Sequence, residues 1–274
     1  MIRILLTSLM LATSLTSCNN AQQNKVHSTP PAKAATQQTI RTQTNEVNFN
    51  ATDGQIVFAD LYISSQGKSG PLIILFHQAG ANGRGEYQNI TTKLVARGYS
   101  VLQVDQRSGG NHFGNQNRTA QNRTVKARGK ATTYCPAYAD MEGALSYVKT
   151  NGFSGARFAW GSSYSAALSL KLAGEHGDDL AGVLSFSPAS GSGMGACAAN
   201  QFIPHVKIPA LGLRPRSEMN ENGQAQKALY DIQGLSYFIS EDGVHGASML
   251  DPNRAKGDVA PTWKAVYAFL EAHK

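Results

Sequence analysis

Short apolar segments that alternate with helix-like segments limit the fold of this chain more than any other feature of its sequence. Residues 71–76, PLIILF, are continuously apolar, as expected for a strand that is buried on both faces. Repeated strand–helix units of this kind predict a mostly parallel sheet with helices on both faces. Further strands are predicted at residues 100–104, 156–160, 181–186, 208–213 and 235–239, and helices at residues 84–97, 139–149, 163–172 and 262–272.

An antiparallel lead-in is predicted before these units. Residues 46–50 and 55–63 alternate apolar and polar side chains, and the Asp53-Gly54 pair between them is a typical hairpin turn. No internal repeat or second linker follows, so we predict one α/β domain over residues 46–274. The formal net charge of +7 would suit nucleic acid, but the chain has neither an aromatic-interleaved basic repeat nor a zinc-ligand spacing. No nucleic-acid partner is therefore expected.

The N-terminus has the pattern of an export signal. Residues 1–17 combine Arg3 with a short apolar stretch, which is too short for the roughly 18 residues of a membrane span. The segment before Cys18 resembles the lipobox of bacterial lipoproteins, which implies cleavage before Cys18, lipidation of its thiol and a membrane anchor. Asn19 and Asn20 replace the Asp that often retains such proteins at the inner membrane, which favours the outer membrane facing the periplasm. The alternative is an ordinary secretory signal followed by a chance cysteine.

Residues 18–45 differ in composition from the rest of the chain. They are rich in Gln, Asn, Thr, Ala and Pro and contain almost no large apolar side chains. Such a segment cannot bury enough surface to offset the entropy that ordering would cost. We therefore predict a flexible tether between the lipid anchor and the domain.

The strongest chemical motif is WGSSYS at residues 160–165, which follows a predicted strand and opens a predicted helix. It matches the pattern G-x-S-x-G, with Ser165 in place of the last glycine. The sharp turn needs small residues around the nucleophile, and Gly161 and Ser165 supply them if Ser163 is at the centre. With Ser162 at the centre, a tryptophan and a tyrosine would occupy the small positions. Ser163 is therefore the candidate nucleophile.

A second motif, FHQAG at residues 76–80, ends the strand at residues 71–76. Together with the serine motif it resembles the α/β-hydrolase family, in which a strand ends in His-Gly-x-Gly or a variant of it. In that family the loop gives one backbone amide to an oxyanion hole, and each donor is worth about 2.7–4 kcal/mol in the rate. The resemblance implies the amide of Ala79 or Gln78 as one donor and the amide of Tyr164 as the other.

The third motif, EDGVHG at residues 241–246, follows the last predicted strand. The general base of the family lies in such a loop, and the family order of Ser, acid and His places the acid after the strand at residues 208–213. The resemblance implies His245 as the base and Glu218, the first carboxylate after that strand, as the acid that orients the imidazole. Glu221 is the alternative acid.

The resemblance covers about residues 46–274 and looks closest to the dienelactone-hydrolase-like branch. It implies hydrolysis of a small-molecule carboxylic ester through an acyl-enzyme, with no metal and no organic cofactor. Dienelactone hydrolases use a cysteine nucleophile, and the serine at position 163 therefore favours esterase activity over lactone hydrolysis. A peptidase or acyltransferase on the same triad, and a non-catalytic surface lipoprotein of the same fold, are the alternatives.

Two features remain outside the predicted triad. Cys135 and Cys197 lie in loops past strand ends, and an exported chain meets oxidising conditions, so a bridge between them is a hypothesis. Residues 106–139 are basic, which is typical of a solvated loop or of one that lies against anionic lipid, and recognition of an anionic substrate is the alternative. The basic residues of this segment are Arg107, Arg118, Arg123, Lys126, Arg128 and Lys130, and the segment contains no acidic residue.

Overall fold

The computed structural model describes residues 43–122 and 133–274, and the strands of these residues form one sheet. The strands are β1 (Gln43–Asn50), β2 (Ile56–Ile63), β3 (Leu72–Phe76), β4 (Ser100–Asp105), β5 (Arg157–Ser162), β6 (Gly182–Phe186), β7 (Ala210–Pro215) and β8 (Ser236–Ser240). Their order across the sheet is β1-β2-β4-β3-β5-β6-β7-β8. β2 pairs antiparallel with both β1 and β4, and every other neighbouring pair is parallel. The predicted α/β-hydrolase fold, with its antiparallel lead-in, is confirmed.

Strand β3 shows why the central strands are continuously apolar. Its five residues are fully buried, and their side chains alternate between two separate cores. Leu72 and Ile74 face one core while Ile73 and Leu75 face the other, because successive side chains of a strand point to opposite faces. A polar residue at any of these positions would lie under a layer of helices.

Helices cover both faces of the sheet, as predicted. Tyr87 of α1 and Trp263 of α7 belong to the core that contains Ile73, and Met141 of α3 and Leu168 of α4 belong to the other core. In the described part of the chain, no helix is both long enough and apolar enough to cross a bilayer. The helices are α1 (Gly83–Ala96), α2 (Arg118–Gln121), α3 (Tyr138–Thr150), α4 (Tyr164–Glu175), α5 (Ala199–Phe202), α6 (Glu221–Ile232) and α7 (Ala260–His273).

Helix α6 has no counterpart among the sequence predictions. Its buried residues are Gly223, Gln226 and Tyr230, so only one of the three has a large apolar side chain. The predicted loop after β4 likewise contains the short helix α2. The Asn117 side chain begins that helix by accepting a hydrogen bond from the amide of Ala120 at 2.7 Å.

The start of the sheet lies slightly earlier than the predicted start of the domain. β1 begins at Gln43, which is paired with Ile63, whereas the domain was expected to begin at residue 46. The predicted signal peptide at residues 1–17, Cys18 and the tether up to residue 42 lie outside the described residues.

Candidate active site

The candidate nucleophile lies on the turn between β5 and α4. β5 ends at Ser162 and α4 begins at Tyr164, and Ser163 between them has a φ of 60° and a ψ of −115°. A non-glycine residue at positive φ is strained and persists where the surrounding structure fixes it. Part of that restraint is a hydrogen bond of 2.8 Å from the amide of Ser163 to the carbonyl of Phe186 at the end of β6. The predicted strand–turn–helix is present, with Ser163 at its apex.

Two small residues make this turn sterically feasible. A Cβ atom on Gly161 would lie 2.3 Å from the carbonyl oxygen of Ser165, so a larger residue does not fit. Ser165 is fully buried, and its hydroxyl accepts a hydrogen bond of 2.9 Å from the amide of Ser162. The same hydroxyl donates to the carbonyl of Phe76 at 2.6 Å. The serine that replaces the last glycine of the motif therefore ties the turn to the end of β3.

The predicted base and acid are in direct contact. Nδ1 of His245, in the loop after β8, lies 2.6 Å from Oε1 of Glu218, which follows β7. Because a carboxylate accepts, Nδ1 carries the proton of this bond and Nε2 is left as the acceptor. Glu221, the alternative acid, opens helix α6 and is exposed.

The carboxylate of Glu218 is partly buried but remains easily ionised. Burial acts to raise the pKa of Glu218. The hydrogen bond and charge of His245, the hydroxyl of Ser187 and the charge of Arg214 outweigh burial and hold this pKa below its usual range. Glu218 is therefore an anion at neutral pH, as an acid that stabilises an imidazolium must be.

The loop that carries His245 is bonded to the serine turn through its backbone. The amide of Gly246 donates to the hydroxyl of Ser187 at 3.0 Å, and the amide of Ala247 donates to the hydroxyl of Ser162 at 2.9 Å. Ser162 thus has a structural role beside the candidate nucleophile. Among the described contacts of His245, none joins it to the hydroxyl of Ser163. Such contacts often form only once substrate is bound.

The loop after β3 distinguishes the two amides that the sequence left as alternatives. The amide of Gln78 donates to Oε2 of Glu86 at 2.7 Å and is therefore engaged inside the protein. Ala79 instead lines a cleft together with Ser163 and Tyr164. Of the two residues, Ala79 is the one beside the candidate nucleophile.

His77, in the same loop, is a structural side chain. It is fully buried, and its Nδ1 donates to the carbonyl of Gln78 at 2.8 Å. Its Nε2 accepts from the amide of Gln106 at 2.9 Å and from the side chain of Asn117 at 3.0 Å. Burial lowers the pKa of His77 below its usual value. Neutral and bonded at both nitrogens, His77 has no position free for proton transfer to a substrate.

The cleft beside Ser163 has a volume of about 210 Å³. Among the described residues, no charged side chain lines it, and the rings of Tyr134 and Tyr164 stack with their centroids 5.0 Å apart. A larger groove of about 670 Å³ lies along α1 and α7, but none of the predicted site residues lines it. The residues that line the smaller cleft are Ala79, Tyr134, Ser163, Tyr164, Ala189, Gly191, Gly193 and Met194.

A disulfide joins the two walls of this cleft in the structure. The sulfur atoms of Cys135 and Cys197 are 2.09 Å apart, and the α-carbons are 5.7 Å apart, which suits a bridge. Cys135 follows Tyr134 directly and contacts the carbonyl of Met194. Oxidation of the pair in solution stays a prediction, and a free-thiol count of two on the unreduced, unfolded Cys18→Ser chain would contradict it.

Two of the arginines that could have bound an anionic substrate are engaged within the fold. Arg107 is buried and contacts both carboxylate oxygens of Asp53 and those of Asp140 at 2.7–3.0 Å. Arg118 contacts Asp60 and Asp105 at 2.6–3.1 Å. The charges of both arginines are neutralised by carboxylates outside residues 106–139. The composition of that basic segment alone does not predict this pairing. The remaining basic residues of the segment, at positions 123–130, lie outside the described residues.

One group of side chains in the described ranges could hold a metal ion. The ligand atoms of Glu142, Glu175 and His176 lie within 4.8 Å of one another. Glu175 already accepts hydrogen bonds from Tyr138 and Lys171. The group lies at the C-terminal end of α4, whereas Ser163 precedes the N-terminus of that helix. It is therefore not part of the candidate active site.

Sequence reasoning missed three residues that support the site. Arg214 and the hydroxyl of Ser187 contact Glu218, and Glu86 is a fully buried carboxylate that accepts from the amide of Gln78. Burial raises the pKa of Glu86 to about 7, against the opposing effects of Ser162, the Gln78 amide and the charge of Arg254. The one signal in the sequence was Arg214 itself, a charged residue in the penultimate position of the otherwise apolar β7.

Comparison with known proteins identifies the family and the fold of the chain. The model of the family described as serine aminopeptidase, S33, matches residues 68–240, which is more than half of the chain. No curated protein matches the sequence. Among solved structures, an esterase from Pyrococcus furiosus is similar with a TM-score of 0.63 at 14% identity, over 85% of this chain and 92% of that chain.

Two further structures extend the comparison. A dienelactone hydrolase from Anabaena variabilis has a TM-score of 0.63 at 13% identity, over 85% of this chain and 98% of that chain. An acylaminoacyl peptidase from Pyrococcus horikoshii has a TM-score of 0.59 at 14% identity, over 85% of this chain and 42% of that chain. At these identities the structures show a shared fold, while the family match covers the sequence from before β3 to the end of β8. The chain therefore belongs to the serine aminopeptidase, S33, family of α/β-hydrolase enzymes.

Proposed function

We propose that the protein hydrolyses carboxylic esters through an acyl-enzyme on Ser163. The observation that carries the proposal is the 2.6 Å contact between His245 and Glu218. It occurs in a loop that is bonded to the turn at Ser163. An imidazole that is oriented by an anionic carboxylate and has one nitrogen free is what a serine nucleophile needs for activation.

The reaction follows from the positions of these groups. Nε2 of His245 accepts the proton of the Ser163 hydroxyl as its oxygen attacks the ester carbonyl. The imidazolium that forms is stabilised by Glu218, and it then gives the proton to the departing alcohol. Water releases the acid from Ser163 by the same steps in reverse. Glu218 remains ionised throughout, which is consistent with its lowered pKa.

We assign the oxyanion donors to the amides of Ala79 and Tyr164. Both residues line the cleft at Ser163, and Tyr164 is the first residue of α4, where an amide has no partner within the helix. The amide of Gln78 is engaged by Glu86 and is left out of this assignment. Two donors that are fixed by the backbone stabilise the charge that develops on the carbonyl oxygen without reorganisation.

The lining of the cleft favours an ester with an uncharged acyl group as the substrate. Its lining has two tyrosine rings, a methionine and small residues, and the contacts of Arg107 and Arg118 with carboxylates remove both from substrate recognition. The family description and the fold shared with an acylaminoacyl peptidase favour an amide-cleaving enzyme as the second candidate. Rates on a p-nitrophenyl ester and on the matching p-nitroanilide separate the two.

A fluorophosphonate probe tests the proposed nucleophile. We expect labelling of the wild-type chain and none of Ser163→Ala, with Ser192→Ala, at an exposed position outside the cleft lining, as the control that still labels. The absence of labelling in the wild-type chain would overturn the proposal and favour a non-catalytic protein of this fold. Equal labelling of wild type and Ser163→Ala would place the nucleophile elsewhere.

We further propose a lipid anchor at Cys18 in the outer membrane. The proposal rests on the apolar stretch of residues 1–17 and on the residues around Cys18. Metabolic labelling with a fatty acid should mark the wild-type protein and not Cys18→Ser. Unlabelled wild-type protein recovered from the soluble periplasmic fraction would favour an ordinary secretory signal instead.

A further inference from the structure

Arg214 is a buried cation directly behind the Glu218–His245 pair. It is the penultimate residue of β7 and is 8% exposed. Its Nη1 donates to Oε2 of Glu218 at 3.1 Å, while Oε1 of the same carboxylate contacts His245 at 2.6 Å. The two oxygens of Glu218 therefore have different partners, one cationic and one catalytic.

The other side of the guanidinium is fixed by groups that lie next to the cleft wall. Its Nη2 donates to the carbonyl of Pro188 at 2.7 Å and to the side chain of Gln226. Gln226, on α6, also donates to the carbonyl of Pro188 at 3.0 Å and to the hydroxyl of Ser190. Pro188 and Ser190 flank Ala189, which lines the cleft at Ser163. Arg214 thus connects the carboxylate of Glu218 to the segment against which the substrate would lie.

We propose that Arg214 is a positioning residue, which acts on the reaction through Glu218. It holds Oε2 so that Oε1 stays directed at Nδ1 of His245. A guanidinium suits this task because its planar fork serves several acceptors in fixed directions, which an ammonium group cannot do. The inference rests on the proposed function, since it concerns the same Ser163, His245 and Glu218.

The charge of Arg214 also sets how tightly Glu218 holds the imidazolium. Three groups face the carboxylate of Glu218. They are His245 in the loop after β8, Arg214 in β7 and the hydroxyl of Ser187 after β6. A cation on Oε2 draws negative charge away from the oxygen that contacts His245. Removing the charge of Arg214 should strengthen the attraction between Glu218 and the imidazolium of His245. The neutral imidazole that serves as the base then forms only at a higher pH. The acid limb of the kcat/KM profile then moves to higher pH.

The test compares Arg214→Met and Arg214→Lys with wild type. We expect Arg214→Met to lower kcat/KM by about 10- to 100-fold, which is the loss of one charge-assisted hydrogen bond expressed as a rate. Its acid limb should move to higher pH, whereas Arg214→Lys should keep the acid limb near that of wild type. Arg216→Met is the matched control, because Arg216 contacts the exposed Glu241 and should change neither quantity.

A double-mutant cycle with Glu218→Gln distinguishes positioning from general support of the fold. If Arg214 acts through Glu218, Arg214→Met lowers kcat/KM and the rate of fluorophosphonate labelling by less than about twofold in the Glu218→Gln background. The same loss in both backgrounds, or a loss below twofold in wild type, would overturn the role of Arg214. If Arg214→Met does not fold, the cycle is run with Arg214→Lys, for which a loss of more than twofold confined to the Glu218 background is the supporting result. Absent labelling of wild type would instead overturn the proposed function itself.

Discussion

Two arginine–carboxylate networks lie at the carboxyl edge of the sheet, and they end differently. The network of Arg107, which follows β4, joins Asp53 to the fully buried Asp140 and includes none of the triad candidates. The network of Arg214 contacts Glu218 and ends at His245, whose side chain is 49% exposed. The same types of residue are used in both places. The difference is that, within residues 43–122 and 133–274, no group is bonded to Nε2 of His245 at the end of the second network.

This difference explains which basic residues are available to a substrate. A guanidinium whose donors all contact carboxylates has nothing left to offer an anionic ligand. Arg107 is 54 residues from Asp53 and 33 residues from Asp140 in the sequence. These ion pairs therefore cannot be predicted from the sequence around Arg107 and are found only in the folded structure. Substitutions should therefore act on stability in the Arg107 network and on the rate in the Arg214 network.

Glu218→Gln should have the largest effect on the rate. We expect kcat/KM for an ester to fall by about 10⁴-fold, because an amide neither fixes the tautomer of His245 nor stabilises the imidazolium. The free energy of unfolding should fall by about 1–3 kcal/mol, because the substitution keeps the shape of the side chain but removes the carboxylate partner of the buried Arg214. Enzyme assays and urea unfolding measure the two quantities. Glu241→Gln is the control, and a loss below tenfold in Glu218→Gln would show that another group orients His245.

Arg107→Met should have the largest effect on stability. It leaves Asp140, which is fully buried, without its cation, and breaking a buried pair in this way costs about 3–5 kcal/mol. The measurement is urea unfolding, with Lys149→Met as the control, because Lys149 and Asp179 form a partly exposed pair. The rate per folded molecule should be unchanged. A stable variant with a raised KM for an anionic ester would instead place Arg107 in substrate recognition.

Glu86→Gln tests a buried carboxylate that forms no ion pair within 4 Å among the described residues. Burial raises its folded-state pKa from 4.5 to about 7, so its contribution to stability is present at low pH and is lost as the pH rises through 7. Glutamine does not titrate, so the variant does not lose stability in this way as the pH rises. Its side-chain oxygen can still accept the hydrogen bond from the amide of Gln78. Relative to wild type, the variant should therefore gain about 2–3 kcal/mol in free energy of unfolding between pH 5 and pH 8. A difference that does not depend on pH would show that Glu86 is ionised in the folded state throughout this range.

Much of the fold could be predicted because the strong signals in the sequence are local. The apolar run of β3 and the glycine that allows the turn at Ser163 each act over a few residues. Helix α6 was missed because it buries Gln226 as well as Tyr230, and Gln226 is a partner of Arg214. A helix that buries a glycine and a glutamine offers few large apolar residues from which its buried face could be identified.

The triad candidates were found because the family order and the strand ends constrain their positions. The residues that support the triad candidates were not found. Arg214 and Glu86 matter through contacts with residues from other strands and loops, and no spacing rule relates them to Ser163. The choice between Gln78 and Ala79 depended on Glu86, eight residues beyond Gln78 in the first turn of α1. Such choices are made by packing in three dimensions, so the sequence left them open.

The cleft at Ser163 lies between the two networks, and narrowing it should have the smallest effect. Tyr134 on one wall precedes the helix that carries Asp140, while Gly191 and Gly193 on the other wall follow the segment held by Arg214. A Cβ atom on Gly193 would lie 3.9 Å from the ring of Tyr134, so Gly193→Val would fill part of the space without a clash of that atom.

We expect Gly193→Val to lower kcat/KM for a hexanoyl ester about tenfold more than for an acetyl ester, since a hydrophobic pocket discriminates by about 1–3 kcal/mol per methylene. Chain-length profiles with p-nitrophenyl esters measure this ratio. Ser192→Val is the matched control, because Ser192 is exposed and does not line the cleft. Equal losses on both esters would mean that the acyl chain does not lie in this cleft. The cleft wall that contains Gly193 and is joined to Arg214 would then affect the reaction only through Glu218.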